Sequence, residues 1–271
     1  MRRLALAVTG SLLLPCALAA RAEPGRTEIV WLGQAGFKIT TPGGKVIVID
    51  PWLTGNPRAP AAYKQPEALG KVDVLLVTHG HDDHIKDAPA IARLRNVPMY
   101  APGDLNRVVA ALGILPPALA PRFNKGGTLT PAPGIRVTAV RAEHSSLLAW
   151  RNPATDKEEL HTGGEPVGFI IELENGYRIY HAGDTAVFGD MRLIGERYKP
   201  DLALVPIGGH FTMDPADAAY AVRELLKPKV VMPMHYGTNP LAKGTAKEFA
   251  DAMAGSGIKI IAPQPGEAVT L

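Results

Sequence analysis

Residues 72–78 form an apolar run of strand length. Its last position opens a segment dense in metal-ligand chemistry: Thr78-His79-Gly80-His81-Asp82-Asp83-His84. Such a run reads as a strand buried on both faces. The segment that follows places three imidazoles and two carboxylates in one short turn. Imidazole and carboxylate are good ligands for zinc and its first-row neighbours. Near neighbours in sequence face one cavity only where the chain turns tightly, and Gly80 permits that turn. The bland alternative, a polar surface loop, leaves the HxHxDH register at a strand end unexplained.

The rest of the chain supplies the frame. Residues 27–32 and 37–40 alternate as strands do, and residues 45–49 are a short β-branched run. Thr41-Pro42-Gly43-Gly44 between the last two marks a hairpin. Helical spacing covers residues 85–96 and 104–112, the second stopped by Gly113. Further strands are expected at Ile135–Arg141, residues 167–173, Arg178–His181, residues 201–206, Val230–Met234 and residues 258–261. Asp214-Pro215 reads as a helix N-cap with proline at the first helical position, and that helix should run to Lys227 before Pro228. A last helix is expected over residues 245–255. Strands cluster with helices between them in two similar halves, without a long linker. One α/β domain from about Glu23 to Leu271 follows: two mixed β-sheets packed face to face with helices outside. Residues 145–166 are the longest stretch without clear signals, a length that often belongs to a functional lid.

More ligand types stand at strand ends downstream. His144 follows the strand at Ile135–Arg141, Asp184 follows Arg178–His181 through Gly183, and His235 follows Val230–Met234. Junctions of strand and loop are where a rigid scaffold presents catalytic groups. Each histidine alone would read as a core or surface residue; their shared placement raises them. The series His79-x-His81-x-Asp83-His84, His144, Asp184, His235 resembles the motif series of the metallo-β-lactamase superfamily. Asp50 matches that superfamily's first, non-ligating aspartate. The local words Asp50-Pro51-Trp52-Leu53-Thr54-Gly55, His181-Ala182-Gly183-Asp184-Thr185, Pro206-Ile207-Gly208-Gly209-His210 and Met234-His235-Tyr236-Gly237-Thr238 are similar to those of one subgroup. That subgroup holds UPF0173-like metal-dependent hydrolases related to the L-ascorbate-6-phosphate lactonase.

The resemblance implies an αββα sandwich and a binuclear hydrolase. His79, His81 and His144 would hold one divalent metal ion, and Asp83, His84 and His235 a second, with Asp184 bridging. Zn2+ is the first expectation, and Mn2+ or Fe2+ also suit this ligand set. The ions would make a shared water nucleophilic at physiological pH, for attack on an ester, lactone or phosphoester. The candidate catalytic residues are Asp83 and His210. His210 follows Gly208-Gly209 and could hydrogen-bond a substrate oxyanion or phosphate, or be a structural loop histidine. His181 is expected to be buried in support of Asp184, Asp82 to cap a helix or face solvent, and His161 to be a solvated loop residue. Tyr236 lines the pocket or packs.

Arg2, Arg3, the apolar residues 4–20 and Ala20-Arg21-Ala22 form the pattern of a secretory signal peptide, cleaved after Ala22 or after Ala19. A periplasmic or secreted hydrolase is therefore expected, with no stable membrane insertion after cleavage. The apolar run is short for a bilayer span and is broken by Pro15. Pro15 also makes Cys16 a poor lipoprotein attachment site. Cys16 is the single cysteine, so the processed chain has no thiol chemistry. Of 29 basic residues, Arg2, Arg3 and Arg21 leave with the leader, which leaves 26 against 26 acidic ones. That balance argues against a nucleic-acid partner and for a small-molecule substrate. Two other readings stand beside the leading one. One is a periplasmic β-lactamase-type hydrolase. The other is a non-catalytic metal-binding or scaffold protein, which would be expected to have lost ligands.

Overall fold

The computed structural model describes residues 25–271. The leader at residues 1–22 and Cys16 lie outside the described residues.

The first half supplies β1 (Glu28–Gly33), β2 (Gly36–Thr40), β3 (Val46–Ile49), β4 (Val74–Leu76), β5 (Met99–Pro102) and β6 (Arg122–Phe123). Then follow β7 (Thr128–Ala132), β8 (Ile135–Arg141), β9 (Leu147–Asn152), β10 (Lys157–Thr162), β11 (Val167–Glu172), β12 (Arg178–His181), β13 (Leu202–Pro206), β14 (Val230–Met234), β15 (Lys259–Ile260) and β16 (Ala268–Thr270). They build two seven-stranded sheets, ordered β16-β1-β2-β3-β4-β5-β6 and β15-β14-β13-β12-β11-β8-β7. Each sheet is antiparallel on one side and parallel on the other. β1, β2 and β3 pair antiparallel, and β3 to β6 pair parallel. In the second sheet β7, β8, β11 and β12 are antiparallel, and β12 to β15 parallel. The turn read at Thr41-Pro42-Gly43-Gly44 closes the β2–β3 hairpin, with Thr41 N–H donating to Lys45 O at 2.8 Å.

The side-chain pattern explains the layering. In β3, Ile47 and Ile49 face the other sheet while Val46 and Val48 face outward. A strand that is apolar on both faces needs cover on both. The inner cover is the second sheet: Ile29, Trp31, Phe37, Ile47 and Leu76 pack against Val137, Phe169, Ile179, Leu204 and Met232. The outer cover of the first sheet is α1 (Asp82–Ile85), α2 (Ala88–Arg95) and α3 (Gly103–Ala111), through Ile85, Ile91, Leu105 and Val109. The second sheet is covered by α4 (Met191–Tyr198), α5 (Pro215–Tyr220) and α6 (Ala246–Ala252), through Ile194, Ala218 and Phe249. Each large side chain so buried contributes about 1.5–3 kcal/mol. The αββα sandwich expected from the sequence is the observed architecture.

Three segments read from the sequence take a different form. The helix read over residues 85–96 is broken between α1 and α2. There Asp87 turns its carboxylate to accept from Leu53 N–H at 2.6 Å and Thr54 N–H at 2.9 Å, and Pro89 restarts the helix. The helix begun by Asp214, which accepts from Ala216 N–H and Asp217 N–H as an N-cap should, widens into a π-helical segment at Ala221–Leu226. Residues 145–166 are no structureless loop. They contain the antiparallel pair β9–β10, with Trp150 opposite Glu159 and Leu148 buried among the α-helices of the first sheet.

Candidate metal centre

Each group of ligand candidates follows the end of a strand, with Asp83 and His84 in the short helix α1 beyond β4. β4 runs into Thr78 and His79, β8 leads to His144, β12 to Asp184 and β14 to His235. These ends lie at the carboxyl edge of the parallel strands, where open α/β sheets present their sites. The folded chain gathers the residues into two sets. One ring nitrogen from each of His79, His81 and His144 lies within 4.8 Å of the others. One ligand atom from each of Asp83, His84, Asp184 and His235 does the same. Within the first set His79 Nε2 and His81 Nδ1 are 2.9 Å apart. Within the second, Asp184 Oδ2 is 3.0 Å from His235 Nε2, and Asp184 Oδ1 is 3.3 Å from His84 Nε2. Asp184 Oδ2 also stands 3.6 Å from His144 Nε2, in the first set.

A network below the ligands fixes them. Asp50 is fully buried and accepts from Thr78 N–H, Thr78 Oγ1–H and His84 Nδ1–H, each at 2.7 Å. Thr78 Oγ1 lies 3.0 Å from His79 Nδ1. With Nδ1 of His84 engaged, its Nε2 is left facing Asp184. Burial holds His79, His81 and His144 below the ordinary imidazole range, which favours their neutral, ligating forms. His84 and His235 behave oppositely. Burial pulls both down, but Asp184, Asp83 and, for His84, Asp50 outweigh it; His84 is held well above the usual range and His235 is raised to about 9. The partner carboxylates, Asp83 and Asp184, are held well below theirs against burial, by His84 and His235.

This donor set suits a divalent cation. His84 Nε2 and Asp184 Oδ1 are buried and make no hydrogen bond. The two face each other at 3.3 Å, and a cation between them would engage both. The mixture of imidazole and carboxylate matches zinc and its neighbours.

Beside the two sets lies a cavity of about 830 Å3, whose wall includes Trp52, Thr54, Lys86, Ser145, Phe211 and Thr238. His210 is exposed at φ +61°, its ring edge-on to Phe211 at 4.4 Å; Phe211 lines the cavity and His210 does not. Asp82 is exposed in the first turn of α1, 3.5 Å from Lys86. His161 is on β10 rather than a loop, half-buried against Trp150. His181 is buried as expected, but it works through backbone: Nε2–H donates to Ala35 O at 2.9 Å, and Nδ1 accepts from Gly183 N–H at 3.2 Å. It thereby ties the residue before Asp184 to the β1–β2 turn. Tyr236 stacks on Trp31 at 5.1 Å. Two residues of the site escaped the sequence reading. Gln34, in the β1–β2 turn, touches Asp83 and His235. Ser146 Oγ accepts from Gly80 N–H at 3.1 Å, so the root of the β9–β10 hairpin braces the ligand loop. Gln34 carries one readable signal, its place between Gly33 and Gly36 in a tight turn.

The Beta-lactamase superfamily domain matches residues 45–236, a span that holds every residue from Asp50 to His235. The chain belongs to the beta-lactamase superfamily. Within the superfamily it is 65% identical over 265 residues to a UPF0173 metal-dependent hydrolase of Polaromonas sp., covering 98% of this chain and 97% of the relative. A UPF0173 metal-dependent hydrolase of Rubrobacter xylanophilus is 48% identical, over 83% of this chain and 88% of the relative. Among solved structures, Igni18, a metallo hydrolase from Ignicoccus hospitalis, superposes with a TM-score of 0.77 at 33% identity, covering 91% of this chain and 98% of that one.

Proposed function

We propose that this metal-dependent hydrolase of the beta-lactamase superfamily works with two divalent cations and cleaves an ester, lactone or phosphoester. His79, His81 and His144 would hold one cation; Asp83, His84 and His235 would hold the other. The observation that carries the reading is the reach of Asp184. One buried carboxylate lies 3.0 Å from His235, 3.3 Å from His84 and 3.6 Å from His144, and so serves both sets. Zn2+ fits the donors best, with Mn2+ or Fe2+ as alternatives. When bound, such ions supply Lewis acidity and lower the pKa of water towards neutrality.

The chain's own residues prepare the rest. Asp50 holds a proton on His84 Nδ1, which leaves Nε2 as the ligating atom once His84 is neutral, and burial favours the neutral forms of the first histidine set. Trp52 and the half-exposed Phe211 offer apolar surface to a substrate's organic arm. Thr238 lines the same cavity. That wall favours an ester or lactone with an apolar or aromatic group.

The test pairs metal content with a substrate panel of a lactone, an aryl ester, a phosphodiester and a β-lactam. Two cations per chain, turnover of the ester or lactone, and its loss in His84→Ala support the reading. Failure to take up metal under any reconstitution refutes it, and turnover of the β-lactam alone would move the assignment to a β-lactamase-type enzyme.

Export belongs to the same proposal. The alignment with the Polaromonas relative spans 98% of the chain, so it takes in most of the leader-like segment. Amino-terminal sequencing of the periplasmic or secreted fraction should find a chain that begins near Glu23. A chain confined to the cytoplasm with its leader intact would overturn export and leave the chemistry standing.

A further inference from the structure

Gln34 is 3% exposed, stands in the left-handed region at φ +52°, and its backbone is pinned. Its carbonyl accepts from His235 N–H and from the Trp31 indole N–H, each at 2.9 Å. Left-handed backbone costs a non-glycine residue about 1–3 kcal/mol, which persists where surrounding contacts hold it. The side chain is aimed with equal care. Gln34 Nε2 lies 2.8 Å from Asp83 Oδ2 and 2.8 Å from His235 Nε2, two ligand atoms that are themselves 3.4 Å apart. Among the described residues, no other side chain outside the ligand sets makes polar contacts with both.

We propose that Gln34 is a positioning residue for the cation taken by Asp83, His84 and His235. The inference rests on the two-cation reading above. The contact with Asp83 is an amide N–H donating to a carboxylate, a charge-assisted bond that fixes the rotamer of the ligand. The contact with His235 places the carboxamide against the very nitrogen that must face the cation. His235 would be free to hold a cation only with the carboxamide turned off its Nε2, and such a turn would keep the bond to Asp83. Because the retained bond is the stronger one, removing the carboxamide weakens this cation, by about the 10–100-fold typical of a lost ligand-orienting partner.

The test isolates each set. In a His81→Ala background, which leaves the Asp83 set whole, Gln34→Met keeps the volume and removes the donor; zinc affinity should fall about tenfold or more. In a His235→Ala background, which leaves the first set, the same substitution should change zinc affinity less than twofold. Equal effects in both backgrounds, or none in either, overturn the proposal. The wild-type chain gives an independent reading should a variant not fold. It contains three glutamines, so the side-chain amide of Gln34 is readily assigned in a glutamine-labelled spectrum. Its signal should move as the Asp83 set fills with zinc, and a signal unmoved to saturation refutes the turn. If wild type binds fewer than two zinc ions, the two-cation reading fails. If it binds two and Gln34→Met binds both with wild-type affinity, only the assignment of Gln34 fails.

Discussion

Asp50→Asn isolates the contribution of the network beneath the ligands. The wild-type carboxylate is fully buried and holds three donors at 2.7 Å: Thr78 N–H, Thr78 Oγ1–H and His84 Nδ1–H. Asparagine keeps the shape and keeps Oδ1 for the Thr78 amide. It replaces Oδ2 with an NH2 group, so a donor now faces His84 Nδ1–H. Once His84 is neutral, as ligation requires, it can relieve that conflict by keeping its proton on Nε2, where it points at Asp184 and blocks a cation. The lost charge-assisted bond is worth about 1.5–3 kcal/mol. At about 2–4 °C per kcal/mol for a chain of this size, Tm should fall by about 3–12 °C. The cation taken by His84 should bind about 10–100-fold more weakly. The first set should change little, since His79 keeps Thr78 Oγ1 at 3.0 Å. Calorimetric zinc titration and thermal unfolding of the metal-free proteins read both quantities. Asp50→Asn with two cations at wild-type affinity would refute the tautomer argument, whatever its Tm. Asp50→Ala is less informative: three orphaned donors at about 1–3 kcal/mol each approach the whole stability of a domain.

Filling both sets at pH 7 should release about two protons, because His84 and His235 are charged in the metal-free chain and imidazole ligates only when neutral; titration calorimetry in buffers of different ionisation enthalpy measures this, and zero release contradicts it. The metal-free chain should lose stability as pH rises from about 6.5 to about 9, since a raised His235 stabilises below its unfolded value of 6.5 and ceases to do so as it deprotonates in the fold; a flat Tm over that window is the opposing result. Gly80→Ala should cost about 1–3 kcal/mol and depress turnover. Its Cβ would meet Leu147 O at 2.9 Å and Gly163 Cα at 3.1 Å, both backbone, so urea unfolding and steady-state rates should fall together. Phe211→Ala, at a side chain 46% exposed, should leave stability within about 0.5 kcal/mol and raise KM for an aryl ester at constant kcat; an unchanged KM would remove Phe211 from the substrate wall.

What the sequence disclosed follows from which interactions are local. The turn His79–His84 was legible because its ligands lie within six residues and directly follow an apolar strand. Asp214 was legible because an N-cap is satisfied two and three residues along the chain. The helix α4 was not, since Gly195 sits in its middle and weakens the local signal. The reason for that glycine is remote: a Cβ there would collide with the carbonyls of Leu225 and Leu226. The break at Lys86-Asp87 was hidden for the same reason, as Asp87 is engaged by Leu53 and Thr54, more than thirty residues earlier. The β9–β10 hairpin escaped because its two apolar neighbours, Leu147 and Leu148, point to opposite faces, one exposed and one buried, and blur the alternation. Gln34 was the costliest omission. An amide has no ligand-type signature, and its meaning rests on Asp83 and His235, 49 and 201 residues away.

Backbone strain shows where the fold invests its rigidity. Among the described residues eight non-glycine positions have positive φ. Asn96, Lys199 and Lys227 end helical segments, and Asp156 lies in the β9–β10 turn, where left-handed backbone is routine. The other four are Gln34, Asp50, His210 and His235, all at or beside the site. At about 1–3 kcal/mol each, these four amount to a large share of an ordinary domain's stability. A core buried between two seven-stranded sheets offsets that cost and holds the strained residues in place. Relief of strain and function therefore pull in opposite directions here. Glycine at position 50 would relax the backbone while leaving His84 without its acceptor, so a gain in backbone freedom at this site is a loss of metal-binding geometry.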